Sequence, residues 1–252
     1  MTKPILLAGE TFAIVQSVAQ GFDVSISSQN TNGATQFLAC VRAHGYAVEQ
    51  LASERCEAEF PRTQEALSKY SSVVLSDIGA LTLLFTPESR AGNPSVNRLV
   101  LLRDYVEAGG SLMMAGGYTS FQGMHGTARY HGTPIEECLP VTCLPHSDGL
   151  EAPEGLLPRI RTEHPIISGL PPILPPILGL NRVVPRAEAD VLIEAPYRGY
   201  AHPLLVAWSF GKGRSLAWAT DIGPHWMSSA FMADTAYSQL MGGMAAWLCG
   251  DR

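Results

Sequence analysis

Short aliphatic runs separated by stretches of helical periodicity constrain this chain more than any other feature. Ile5 to Ala8, Ser72 to Leu75 and Leu112 to Ala115 are too short to be buried helices, and each reads as a strand covered on both faces. A further strand is predicted over Ala47 to Leu51. Between these runs, Phe37, Leu38 and Val41 fall at helical spacing ahead of Gly45. Leu99, Leu102 and Val106 line one face of a helix predicted over Ser95 to Ala108, stopped by Gly109-Gly110. A shorter helix is predicted over Thr63 to Leu67, capped by Thr63. Parallel strands need right-handed crossovers, so this alternation predicts a parallel sheet with helices on both faces.

The remaining segments carry weaker patterns. Phe12, Ile14, Gln16 and Val18 alternate loosely, as a short strand or an irregular excursion would. Gly155 to Pro185 is rich in Pro and Gly and is predicted to be irregular surface chain. Ala189 to Ala195, Pro203 to Trp208 and Arg214 to Ala219 read as three strands, the last two joined by a turn at Gly211-Lys212-Gly213, and are expected to end the sheet antiparallel. A helix over Ser229 to Leu248 closes the chain, its Met232, Ala236, Leu240, Met244 and Trp247 forming a core-facing stripe. The expected fold is α/β: a flavodoxin-like three-layer sandwich with a mostly parallel sheet and antiparallel C-terminal strands. One domain is expected over residues 1–252.

Composition narrows the function. The net charge is −6, and the 17 Lys and Arg are scattered rather than gathered on one predicted helix, which argues against a nucleic-acid partner. No apolar run approaches the roughly 18 residues that span a bilayer, and the start is too short for a signal peptide, so no membrane partner and a cytoplasmic location are expected. Cys40, Cys56, Cys138, Cys143 and Cys249 form an odd set with no C-x-x-C pair, suggesting neither a disulfide framework nor a zinc ribbon. A charged fraction of only 16%, with 24 Gly and 8 Met, points to apolar surface covered by another subunit, hence a homo-oligomer.

In an open parallel sheet, ligands collect beyond the carboxyl ends of the strands. The first strand delivers Gly9-Glu10 there, the third Asp77-Ile78-Gly79, the fourth Gly116-Gly117-Tyr118-Thr119-Ser120, and the last Thr220-Asp221 through His225-Trp226. The run Gly109 to Phe121, with Gly211-Lys212-Gly213-Arg214 and Thr220 to Trp226 downstream, resembles the class I glutamine amidotransferase-like proteins, in a branch related to the ThuA-like group. Arg129-Tyr130-His131-Gly132-Thr133-Pro134 and Leu139-Pro140-Val141 support that branch more specifically than the glycines, and the resemblance covers nearly the whole chain.

The resemblance implies a nucleophilic Cys on a glycine-flanked strand-to-helix turn, with His and Glu partners near the last strands. The corresponding position here is Tyr118, and no His-Pro-Glu run is present. A phenol with an ordinary pKa near 10 is a poor nucleophile towards an amide, so glutamine hydrolysis through a thiolate is not expected. The expected role is instead to bind or process a small polar metabolite. Tyr118, Asp221 and His225 are the candidate catalytic residues, and Glu10, Asp77, Gly116, Gly117, Ser120, Gln122, Arg129, His131 and Trp226 the candidate ligand-binding residues.

Several alternatives stay open at this level. Asp77 and Asp221 are equally suited to cap helix N-termini, with Tyr118 satisfying a buried carbonyl. A non-catalytic scaffold protein, or a hydrolase of an amide or cyclic C–N bond using Ser120, Thr119 or water, are the competing functions; a serine would need His131 or His225 as its base. Cys138 and Cys143 are structural apolar thiols or displaced nucleophiles. Arg129 is either a bidentate partner for a carboxylate or phosphate or a surface partner of Glu136 or Glu137. His125, His131, His146, Asp148, His164, His202 and His225 show no recognised ligand spacing, so no metal and no cofactor are expected.

Overall fold

The Ile5–Gly9 strand is buried at every position and pairs in parallel with Val48–Leu51 on one side and Ser72–Ser76 on the other. The computed structural model describes residues 3–251. Its central sheet orders eight strands as Val48–Leu51, Ile5–Gly9, Ser72–Ser76, Ser111–Ala115, Gly213–Trp218, Tyr200–Phe210, Asp190–Tyr197 and Arg159–Ile160. The first five run parallel and the last three pair antiparallel, as the sequence predicts for the end of the sheet.

The chain moves from Ile5–Gly9 outward to Val48–Leu51, then back across the sheet to Ser72–Ser76 and Ser111–Ala115. Right-handed crossovers in opposite directions put their helices on opposite faces. Thr35–Ala43 accordingly packs with Thr235–Leu248, while Ser53–Glu59, Ala80–Leu84, Arg98–Glu107 and Pro134–Cys138 pack in series. Leu102, Val106, Leu240 and Met244 fill one continuous core with the strands, and the fold is the predicted flavodoxin-like α/β sandwich.

Local chemistry moves several boundaries. The helix predicted from Ser95 begins at Arg98, because the Asn97 side chain accepts the N–H groups of Leu99 and Val100, and Ser95 is held by the Thr86 hydroxyl. The closing helix is two helices, Ser229–Ala233 and Thr235–Leu248. Asp234 between them is extended and caps the second by accepting from Ala236 N. The Pro- and Gly-rich stretch is not irregular throughout: Ile177–Asn181 pairs with Gly149–Leu156, Val183–Pro185 with Val141–Cys143, and Arg159–Ile160 edges the main sheet. Phe12 to Val18 lies in the long Thr11–Gln20 strand, which among the described residues pairs only with Asp23–Asn32, forming an arm. Among the described residues, no helix is long and apolar enough to cross a membrane.

Candidate functional site

Three of the four predicted strand ends turn through backbone that non-glycine residues rarely adopt. Glu10, Asp77 and His225 have φ of 60°, 46° and 117°. Such strain, about 1–3 kcal/mol per residue, persists where the surroundings fix a side chain in place. Glu10 N donates to Ser76 O, which turns the carboxyl of Glu10 inward, and Ser76 Oγ donates to Glu10 Oε2 at 2.6 Å. Gly33 and Gly223 line the other side of this carboxyl. A Cβ at Gly33 would collide with it, so the glycine is what admits the acid.

The elbow after Ser111–Ala115 has a different occupant from the one a nucleophile needs. Thr119 N donates to Asp77 Oδ1 at 2.7 Å and Thr119 Oγ1 to the same oxygen at 3.1 Å. The amide following the nucleophile normally helps hold an oxyanion, and here a side-chain carboxylate holds it. Gly117 N donates to Asn181 Oδ1 at 2.9 Å. A Cβ at Gly117 would strike the Asp77 carboxylate, so the glycine lets the two strand ends approach. Gly116 is equally close to the backbone of Ala219 and Thr220.

Above these carboxylates lies a layer in which Tyr118, Glu151 and His225 are exposed and Trp226 is buried. Tyr118 Oη is 3.0 Å from Glu151 Oε1 and 3.0 Å from His225 Nε2, and His225 Nδ1 is 3.3 Å from Asp221 Oδ2. Trp226 donates twice, from its backbone to Asp221 at 2.8 Å and from Nε1 to Glu151 at 3.0 Å. The Tyr118 and His225 rings meet edge to face with centroids 4.7 Å apart, and Trp226 stacks on His225. The Asp221 carboxylate accepts from His225 Nδ1–H, and the Tyr118 hydroxyl has two acceptors in reach, Glu151 and His225 Nε2.

Electrostatics agree. The hydrogen bond to Asp221 raises the His225 pKa against the effect of its partial burial. Burial pushes Glu10 up to about 8, reinforced by the nearby Asp77 charge, and pushes Asp77 up to about 6. Asp221 is also raised by burial, with His225 and Trp226 opposing the shift. Burial, then the bond to Glu151, carries the Tyr118 phenol up to about 12, so it is a proton donor rather than a ready phenolate. Titratable groups with shifted and different pKa values in one place are the usual signature of a working site.

Glu10, Asp77, Gly116, Gly117, Tyr118, Asp221, His225 and Trp226 are therefore brought together by the fold. Helix capping does not account for the two aspartates: Asp77 binds the elbow at Thr119, and Asp221 binds His225 and Trp226. Ser120 is buried, and its Oγ accepts from Asp77 N at 3.1 Å with no imidazole bonded to it, which corrects its place as a nucleophile. His131 is turned elsewhere, its Nδ1 2.9 Å from Cys143 O and 3.5 Å from Glu136. Gln122 follows it: its side-chain oxygen accepts from His131 N. Arg129 is exposed at a φ of 64°, and neither proposed partner reaches it, since Glu136 binds Gly132 N and Cys143 N while Glu137 pairs with Arg103. Cys138 and Cys143 are buried away from the elbow, the first donating to Ile135 O and the second paired to Val183.

Sequence reasoning missed three residues. Glu151 bridges Tyr118 and Trp226; Asp148 accepts from Gln122 N, Gly123 N and Asn181; and Asn181 clamps both Gly117 backbone groups. Glu151 sits opposite Gly179 in an antiparallel pair, where a side chain in place of the glycine would collide with the Trp226 indole. Among the described residues, no group of three His, Cys, Asp or Glu is placed to hold a metal ion. A cleft of about 960 Å³ lies at the opposite, amino ends of the parallel strands, lined by Lys3, Ser71, Gly110, Ser111 and Arg214 among others; none of the strand-end carboxyl groups reaches it.

A flavodoxin-like sheet with a glycine elbow and polar side chains at its strand ends defines a glutamine amidotransferase-like protein. The chain belongs to the GATase1-like family, described as Putative glutamine amidotransferase, which matches residues 4–250. It is similar to the solved structure of Cytoplasmic Protein STM3548 from Salmonella typhimurium, with 32% identity and a TM-score of 0.91 over 97% of this chain and 98% of that one. Cytoplasmic Protein STM1381 from Salmonella typhimurium LT2 matches at 33% identity and a TM-score of 0.91, over 97% and 99%. A beta-galactosidase from Bacillus circulans sp. alkalophilus shares the fold alone, at 14% identity and a TM-score of 0.53 over 86% of this chain and 26% of that one. No curated protein matches the chain.

Proposed function

We propose that this protein binds a small polar metabolite at the strand-end cluster, or turns one over by proton transfer, without the thiol chemistry of the wider superfamily. The observation that carries this reading is the relay in which Tyr118 Oη stands 3.0 Å from both Glu151 and His225, with Asp221 behind the imidazole. A relay of this form withdraws a proton at an exposed phenol as the phenol passes its own proton to Nε2, and the charge that forms on the imidazole is neutralised by Asp221. Glu10, with its pKa at about 8, is a second proton reservoir beneath it.

The same groups favour one class of ligand. Asp77, Asp221 and Glu151 all act on a single imidazole and Glu10 lies close to Asp77, and among the described residues none of the four is paired with a Lys or Arg. A neutral or cationic molecule rich in hydroxyl, amine or amide N–H donors suits this site, and a phosphate or free carboxylate does not. Where C–N bond hydrolysis occurs, water is the nucleophile, because Ser120 has no base. Loss of the nucleophilic Cys is supported by Tyr118 at the elbow and by Asp77 holding the Thr119 amide. Kinship with the ThuA-like group is supported by the Arg129 to Pro134 and Leu139 to Val141 segments, and a cytoplasmic location by the names of the two Salmonella proteins.

A thermal-shift screen of polyols, amines, amides, phosphates and carboxylates tests the reading on the wild type, Y118F and H225Q. The expected result is stabilisation by members of the first three groups that both variants lose. Stabilisation by anions alone, or shifts indifferent to both substitutions, would sink it. No glutamate is expected to be released from glutamine.

A further inference from the structure

Residues 11–32 form an arm that is exposed from Ala13 to Asn30. Thr11–Gln20 and Asp23–Asn32 pair in continuous antiparallel register and turn through Gly21-Phe22. The arm's side-chain hydrogen bonds to the body are confined to its root: Thr11 bonds Ser53 and Glu54, and Asn32 bonds Gln50. Along its length, Ile14, Val15, Val18, Phe22, Val24 and Ile26 are between 41% and 106% exposed, and Asp23 is the one formal charge. A two-stranded hairpin is marginal in water by itself, and apolar surface of this extent marks an interface.

We propose that this arm is covered by a second copy of the same chain. Residues paired across the hairpin share a face, so Val15, Ala19, Val24 and Ile26 lie on one side and Ile14 and Val18 on the other. Apolar residues on both sides mean that a single flat contact leaves one set in water; a reciprocal clasp, with each arm seated on its partner, covers both. The six exposed side chains present on the order of 700 Å², close to the ~800 Å² that each partner gives to a standard interface. With one charge in the whole arm, two copies meet without repulsion, and a two-fold arrangement makes the contact closed. The root is stiff enough to aim the arm, since Gly33 N donates to Glu10 O and Glu10 is held by Ser76.

Sedimentation of the full chain tests this, with V15K/I26K and I14K/V18K as one disruption on each face. The wild type is expected to sediment as a dimer through the micromolar range. Either double variant is expected to raise the dissociation constant about a hundredfold or more, with an unchanged circular dichroism spectrum because the side chains replaced are exposed. A monomeric wild type, or two double variants as dimeric as the wild type, would overturn the proposal. The wild-type measurement stands even where a variant fails to fold.

Discussion

Tyr118 and His225, 107 residues apart in sequence, meet with the phenol oxygen 3.0 Å from Nε2 and the rings edge to face. The contact exists because the elbow after Ser111–Ala115 and the turn after Gly213–Trp218 leave adjacent parallel strands. It places an imidazole whose pKa is raised by its bond to Asp221 between an exposed phenol and a buried carboxylate.

Asp221 is the larger influence on that imidazole. D221N is expected to lower the His225 pKa towards its ordinary value, because the hydrogen bond that raises it is weakened and the nearby charge removed. Y118F, which removes only a neutral hydroxyl, is expected to move it far less. Proton NMR titration of the His225 ring reads both, and equal shifts would contradict the assignment.

Glu10 makes stability depend on pH. Its pKa is about 8 in the folded protein against an ordinary 4.5, so between these values the native state holds more protons than the unfolded one. Stability from this group is therefore greatest at low pH and declines as pH rises through that window. E10Q keeps the shape and removes the titration. Relative to the wild type, it is expected to gain on the order of a few kcal/mol between pH 5 and pH 8, read from urea unfolding at the two values. Parallel behaviour of the two proteins would show that Glu10 is not buried as an acid.

Restoring a thiol at the elbow is not expected to restore glutaminase activity. In Y118C the sulfur would sit near the backbone, several ångströms short of the imidazole that the long tyrosine reaches, and the Thr119 amide would still be bound to Asp77. Iodoacetamide labelling of Y118C at neutral pH should match that of an ordinary exposed cysteine. Rapid labelling together with glutamate release would contradict the geometry.

Arg98 is the clearest structural clamp. Its buried guanidinium donates to the carbonyls of Leu83, Cys56, Glu57, Thr82 and Phe85 at 2.5–3.2 Å. Several of these close the helices Ser53–Glu59 and Ala80–Leu84, where a cation also meets the helix dipoles. Lysine has three donors in place of a planar fork, so R98K is expected to lose about 2–4 kcal/mol in urea unfolding. A loss below about 0.5 kcal/mol would show that the carbonyls find other partners.

Ile5–Gly9, Ser72–Ser76 and Ser111–Ala115 were legible because burial on both faces leaves a short, mostly aliphatic run, a signal contained within a few residues. Thr63 was readable as a cap for the same reason: its oxygen binds Ala66 N, three residues on. Asn97 and Asp234 are caps too, but the apolar periodicity runs past both and hides the break. The arm was barely visible, since Ser, Gln and Asn interrupt its alternation and no core face selects one register.

The sequence alone determined the parallel strands of the sheet, their crossovers and the identity of the side chains at four strand ends, because each of these follows from short-range periodicity and from the rule that parallel strands present their carboxyl ends together, while the edge strand Arg159–Ile160 stayed hidden. Tertiary structure alone decided which of those side chains touch: it brought Asp148, Glu151 and, from the Pro- and Gly-rich stretch, Asn181 into the cluster and turned the side chains of His131, Gln122 and Arg129 out of it. Contact across a hundred residues depends on backbone turns such as the positive φ at Glu10, Asp77 and His225, which packing imposes against local preference and which no local pattern encodes.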